Sequence, residues 1–129
     1  MNIGKKDNLQ KYLGKIVTIV VDRPLGSRHP KHPDMVYPVN YGYIEGVFAP
    51  DMEEQDVYIL GVDKPLDTFT GRIIGVISRE NDVEDKWVAA PDGVWFTGEE
   101  ILQAVEFQEK YFFSSVYVVG APLAAPALQ

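Results

Sequence analysis

Cysteine is absent from this 129-residue chain. That excludes disulfide staples and thiolate metal sites, and it is compatible with a reducing compartment. Positive charge is also scarce: 12 Lys and Arg stand against 19 Asp and Glu, a formal net charge of -7. Such a surface repels the phosphate backbone of nucleic acid. It repels a small anionic substrate equally, unless divalent cations intervene. No apolar run is long enough to span a bilayer, and the start, MNIGKKDNLQ, has no apolar core of signal-peptide length. These absences predict a soluble, cytoplasmic protein with neither nucleic acid nor membrane as a partner.

What is present suits one globular domain, with 46% apolar residues and no internal repeat. We assign it to residues 1–119. Residues 120–129, GAPLAAPALQ, are small and Pro/Ala-rich, and read as a flexible tail or an expression remnant. DNLQKYL (7–13) predicts a short helical turn. IVTIVV (16–21) is a β-branched strand, and strand-like stretches recur at 37–48, 57–62, 72–78 and 86–90, with SSVYVV (114–119) closing the series. Three prolines and a glycine make 22–36, DRPLGSRHPKHPDMV, an irregular loop. Thr97 followed by Glu100 is a capping box, and Ile101, Leu102, Val105, Gln108 and Phe112 then fall at helical spacing over 98–113. The expected fold is mainly β (α+β), a small barrel or strongly coiled sheet with one main flanking helix near the C-terminus.

Two acidic groups stand at the mouths of apolar strands. Asp51, Glu53, Glu54 and Asp56 precede VYILGV, and Asp82, Glu84 and Asp85 precede Lys86 and WVAA. Carboxylates this close are tolerated in full solvent or around cations. One reading is a solvated acidic turn and a surface loop with a local ion pair. The other is a site for Mg²⁺, a hard ion that takes oxygen ligands and keeps several waters, with Mn²⁺ as the alternative. On that reading two mouths on neighbouring strands face each other, and Lys86 is a phosphate ligand. Arg23, Arg28 and Lys31 form a basic cluster in the Pro-rich loop, either ordinary surface charge or further phosphate contacts. His29 and His32 are an H-x-x-H pair. Pro30 and Pro33 forbid the helix zinc would need there, which favours phosphate contact or structural hydrogen bonding. Tyr41, between Asn40 and Gly42, either packs in the core or presents its hydroxyl to a ligand. Exposed aromatics such as Trp95 or Phe113 offer a homo-oligomer interface.

The motifs YPVNYGYI (37–44), the D-x-(D/E)-x-x-D run 51–56, KWVAAP (86–91) and FQEKY (107–111) resemble, in order and spacing, the soluble family I inorganic pyrophosphatases over residues 16–113. The resemblance implies an OB-like β-barrel, several Mg²⁺ ions and hydrolysis of diphosphate to two phosphates. Asp51 and Asp56 match metal-binding aspartates. Glu53 stands where an aspartate orients the nucleophilic water, making Glu53 and Asp56 the catalytic pair. Glu84 matches a further metal ligand, with Asp82 or Asp85 as substitutes. Lys86 and Tyr111 match phosphate contacts, and Tyr41 a motif tyrosine near the site. The chain is short for the family. The family's early lysine and glutamate fall on Thr18 and Val20, and the lysine after the helix tyrosine is replaced by Phe112. Lost positive charge of this kind raises an alternative: a catalytically weak relative that binds a phosphorylated ligand or a partner for regulation. A structural barrel with an acidic rim is the third reading.

Overall fold

The computed structural model describes residues 9–80 and 85–119. Asp82 and Glu84, and the tail 120–129, lie outside the described residues. Among those described there are six strands: β1 (Ile16–Arg23), β2 (Asn40–Phe48), β3 (Glu54–Ile59), β4 (Thr68–Arg79), β5 (Asp85–Ala90) and β6 (Ser114–Val118), with helix α1 (Gly98–Glu109) between the last two. Residues 9–12 form the expected helical turn. The ladder runs β1-β2-β3-β5-β4, and β4 pairs back onto β1, so five strands close into a barrel while β6 adds to β4 outside it. The barrel with its C-terminal helix is the expected OB-like fold. No helix among the described residues is long and apolar enough to cross a membrane.

Closure follows from the side-chain pattern. β1 alternates, turning Val17, Ile19 and Val21 inward against Val57, Ile73 and Trp87. β5 is buried along its whole length. One face meets the barrel interior and the other meets Ile101 and Val105 of α1. A strand covered on both faces needs the unbroken apolar run that WVAA supplies. The β1–β2 seam is very close: a Cβ at Gly42 would stand 1.9 Å from the Val20 carbonyl oxygen.

Several element ends differ from the sequence reading. β2 starts at Asn40 and not at Tyr37, since Pro38 has no N–H for the ladder. β4 starts at Thr68, because the TFTG stretch is recruited by pairing with β1, Thr68 opposite Val20. β3 takes Glu54, Gln55 and Asp56 of the acidic run into the strand itself. α1 ends at Glu109 with Lys110 as its C-cap. Its N-terminus is the predicted capping box, with Thr97 Oγ1 accepting from the Glu100 N–H at 3.1 Å and Glu100 Oε1 from the Thr97 N–H at 2.8 Å. Phe113 is exposed and Trp95 half-buried.

Candidate active site

β3 and β5 run parallel, with Val57 opposite Trp87. Their N-terminal mouths are therefore neighbours, and each carries one charged residue to the same place. Lys86 Nζ donates to Asp56 Oδ2 at 2.6 Å. The Lys86 side chain is 7% exposed and that of Asp56 34% exposed, so the pair sits half in the wall and half in solvent. Tyr41, on the adjacent β2, is buried close enough to the same carboxylate to feel its charge. Burial first, then the Asp56 charge, raises the Tyr41 phenol well above its ordinary value. It holds its proton across the physiological range and acts there as a donor.

These residues open onto a cleft of about 1020 Å³ between the barrel wall, the loop after β1 and the C-terminal end of α1. Arg23 stands on one side. Its Nη1 donates to the Tyr37 hydroxyl at 2.6 Å, and its guanidinium lies 5.7 Å and 5.8 Å from the Tyr37 and Tyr41 ring centres. Arg79 stands on the other, held by Glu109 and lying 3.7 Å over the Phe112 ring. Burial raises the Asp22 carboxyl, Arg23 and a backbone hydrogen bond pull it down, and the charge of Asp56 adds to the rise, so the net shift is upward.

Of the residues singled out in the sequence, the cleft wall gathers Arg23, Tyr41, Asp56, Lys86 and Tyr111. Asp51, Glu53, Arg28 and Lys31 are not in that wall. Asp51 and Glu53 are exposed on the β2–β3 turn, where Asp51 Oδ1 accepts from the Glu53 N–H at 3.0 Å. Met52 between them has a positive φ of 72°, a left-handed conformation that a side chain adopts at a cost. Arg28 Nη1 reaches back to the Pro33 carbonyl at 2.8 Å, and the Lys31 side chain is exposed. From the same loop His29, His32 and Asp34 line the cleft instead. Among the described residues no three carboxylates or histidines stand together as a ready-made metal cage.

Asp22, Arg79, Gln108 and Glu109 were not marked by sequence reasoning as site residues. Asp22 adjoins Arg23 and was legible as a neighbour. Arg79 and Glu109 carried no local signal, since the pair forms across 30 positions.

The family model for inorganic pyrophosphatase matches residues 6–101. The chain belongs to the inorganic pyrophosphatase family. That makes it an inorganic diphosphatase, a hydrolase acting on a phosphoanhydride bond. Solved inorganic pyrophosphatases share its fold. The one from Ehrlichia chaffeensis superposes with a TM-score of 0.64 at 19% identity, covering 83% of this chain and 88% of its own. That from Neisseria gonorrhoeae gives 0.55 at 22% identity over 83% and 82%. That from Thermus thermophilus gives 0.52 at 20% identity over 81% and 80%. No curated protein matches the chain.

Proposed function

We propose that the cleft hydrolyses inorganic diphosphate to two phosphates with Mg²⁺ as the resident ion, Mn²⁺ being the alternative. The observation that supports this best is the Asp56–Lys86 pair: one carboxylate and one ammonium, 2.6 Å apart at the mouths of two parallel strands, in a chain of this family. The donor set fits a hard dication. Asp56 is partly solvent-exposed and Asp22 lines the same wall, and Mg²⁺ is commonly held by one or two carboxylates plus substrate phosphates and waters. Asp51, Glu53, Asp82 and Glu84 are further ligands on the strength of the sequence resemblance. When bound, such an ion lowers the pKa of water and offsets phosphate charge.

The chain's own groups divide the remaining work. Tyr41, with its proton held, stands as a donor beside Asp56. Lys86 and Asp56 neutralise each other as they stand. Asp56 would be one of the residues holding the dication, and the Lys86 ammonium beside it would offer a charge-assisted contact to a phosphate oxygen. Arg23 contributes the planar guanidinium that suits a phosphate edge, and Tyr111, at the lip, adds a hydroxyl. Asp56 would orient the attacking water from the cleft wall, and Glu53 shares that role on the strength of the sequence resemblance alone. The loop's Arg28 and Lys31 supply outlying positive charge that draws the anion in. An acidic protein thus acts on an anionic substrate through metal-reversed local charge.

The test is phosphate release from diphosphate with and without Mg²⁺. Turnover that requires the ion is expected; metal-independent turnover, or none under any divalent ion, overturns the reading. Lys86→Met should weaken diphosphate binding by about tenfold or more, the loss of one charge-assisted hydrogen bond, as read by KM. A second reading is a catalytically weak relative that binds the same anion. It is favoured by the exposed position of Asp51 and Glu53 outside the cleft wall. Tight calorimetric binding of diphosphate without turnover would select it.

A further inference from the structure

Through the cleft wall runs a chain of side-chain hydrogen bonds whose donors and acceptors are fixed from one end. Glu109 is the anchor. Arg79 Nε donates to its Oε1 at 3.0 Å and Arg79 Nη2 to its Oε2 at 2.6 Å, while Ser114 Oγ donates to Oε1 at 2.8 Å. Both side chains of the ion pair are nearly inaccessible, at 6% and 3% exposure. Burial alone would push the Glu109 carboxyl up, but Arg79, Tyr58 and Ser114 together hold it below its ordinary value, so it is an ionised acceptor. Tyr58 is therefore bound to donate its proton to Glu109 Oε2, at 2.8 Å.

The Tyr58 oxygen must then accept. Its donor is Gln108 Nε2 at 2.6 Å, which settles which way the Gln108 amide faces. Gln108 Oε1 is turned to Tyr37 and accepts its proton at 2.8 Å. With that proton committed, the Tyr37 oxygen offers a lone pair in one direction, toward Arg23 Nη1 at 2.6 Å. Tyr37 and Tyr58 are fully buried and Gln108 is 9% exposed, so water does not compete readily for the links from Glu109 through Tyr58 and Gln108 to Tyr37.

We propose that Tyr37 and Gln108 are positioning residues for Arg23: the chain from Glu109 fixes the Arg23 guanidinium as an anion contact of the cleft, its place set from helix α1. The alternative for a long, flexible arginine is a swarm of rotamers, each ordered anew when an anion binds. Arg23 here is pre-ordered by one short hydrogen bond, and the two tyrosine rings cage it. The proposal rests on the functional reading above in taking diphosphate as the anion.

The test is calorimetric binding of methylene diphosphonate, a diphosphate analogue that is not hydrolysed, in Mg²⁺. Tyr37→Phe and Gln108→Met should each weaken binding by about tenfold, the scale of a hydrogen bond to a charged group. Arg23→Ala should weaken it as well, and Tyr37→Phe placed on Arg23→Ala should add nothing, because the hydroxyl acts through Arg23. Val47→Ala, which loosens the other core cluster and leaves α1 and the hydrogen-bonded side chains alone, should bind like the wild type below its own unfolding temperature. Should Tyr37→Phe not fold, the cycle of Gln108→Met with Arg23→Ala replaces it. Wild-type affinity in Tyr37→Phe, or an equal loss in the Arg23→Ala background, overturns the proposal while leaving the diphosphatase reading intact. A wild-type chain that does not bind the analogue overturns both.

Discussion

Asp56 is where the chemistry of single residues concentrates. It receives the Lys86 ammonium, and its charge is felt at Tyr41 and Asp22. Asp56, Lys86, Tyr41 and Arg23 were legible in the sequence because each sits beside an apolar strand run or inside YPVNYGYI. Local pattern is enough to place such residues at a strand mouth or rim. The Arg79–Glu109 pair was not legible. Two charges far apart in sequence, one ending a strand and one ending a helix, look like surface charge until the barrel brings them together. Their burial makes a strong prediction. Glu109→Ala leaves the Arg79 guanidinium without its buried counter-charge, and breaking such a pair costs about 3–5 kcal/mol. Urea unfolding should show a loss of that size, whereas Asp92→Ala, which breaks the exposed pair to Arg72 and leaves the Arg72 bond to the Gly14 carbonyl in place, should cost about 1 kcal/mol or less. Equal losses at the two sites would contradict the assignment of the buried pair as an anchor.

At the scale of elements, α1 and the β1–β2 seam matter most for the site. The capping box was legible because its two residues lie three apart and act locally. Thr97→Ala should therefore cost about 1 kcal/mol, visible as a lower thermal midpoint, with the affinity for diphosphate unchanged since the cap is remote from the cleft. The end of the helix was misplaced, at 113 and not 109, because apolar spacing continues through Phe112 while Glu109 is held by Arg79 and Ser114. Helical spacing carries no record of such a tether. Gly42 marks a close strand contact: the Val20 carbonyl stands where a Cβ would go. Gly42→Ala should force β1 from β2 and displace Arg23 and Tyr41 together. A loss of at least about 3 kcal/mol, at the upper end for overpacking, is expected in denaturant unfolding. A near-neutral Gly42→Ala would show that the seam yields.

For the whole molecule, the barrel class was legible from short β-branched runs at regular spacing, while the closing order was not. Nothing in the sequence announces that β4 is long enough to pair with β1, β5 and β6 at once; that follows from register. Closure has a pH consequence through the network it buries. Glu109 has a folded pKa below its ordinary 4.5, so its contribution to stability is complete above that value and is lost as pH falls through the lower, folded one. Asp22 has a raised folded pKa and works in the opposite sense, stability declining as pH rises from 3.8 toward its folded value. Glu109 is far more deeply buried and bound, so the net expectation is a fall in the thermal midpoint on acidification below pH 4.5, largely abolished in Glu109→Gln.

The account of function depends on Asp56 at the mouth of β3 serving a metal-dependent hydrolysis in the cleft. The most direct measurement is phosphate release from diphosphate in saturating Mg²⁺ by the wild type and by Asp56→Asn, with thermal unfolding run on both. The account predicts turnover by the wild type and a loss of at least about a hundredfold in the variant, the scale set by misplaced catalytic groups, with the fold retained. Comparable turnover by a folded Asp56→Asn chain would contradict it.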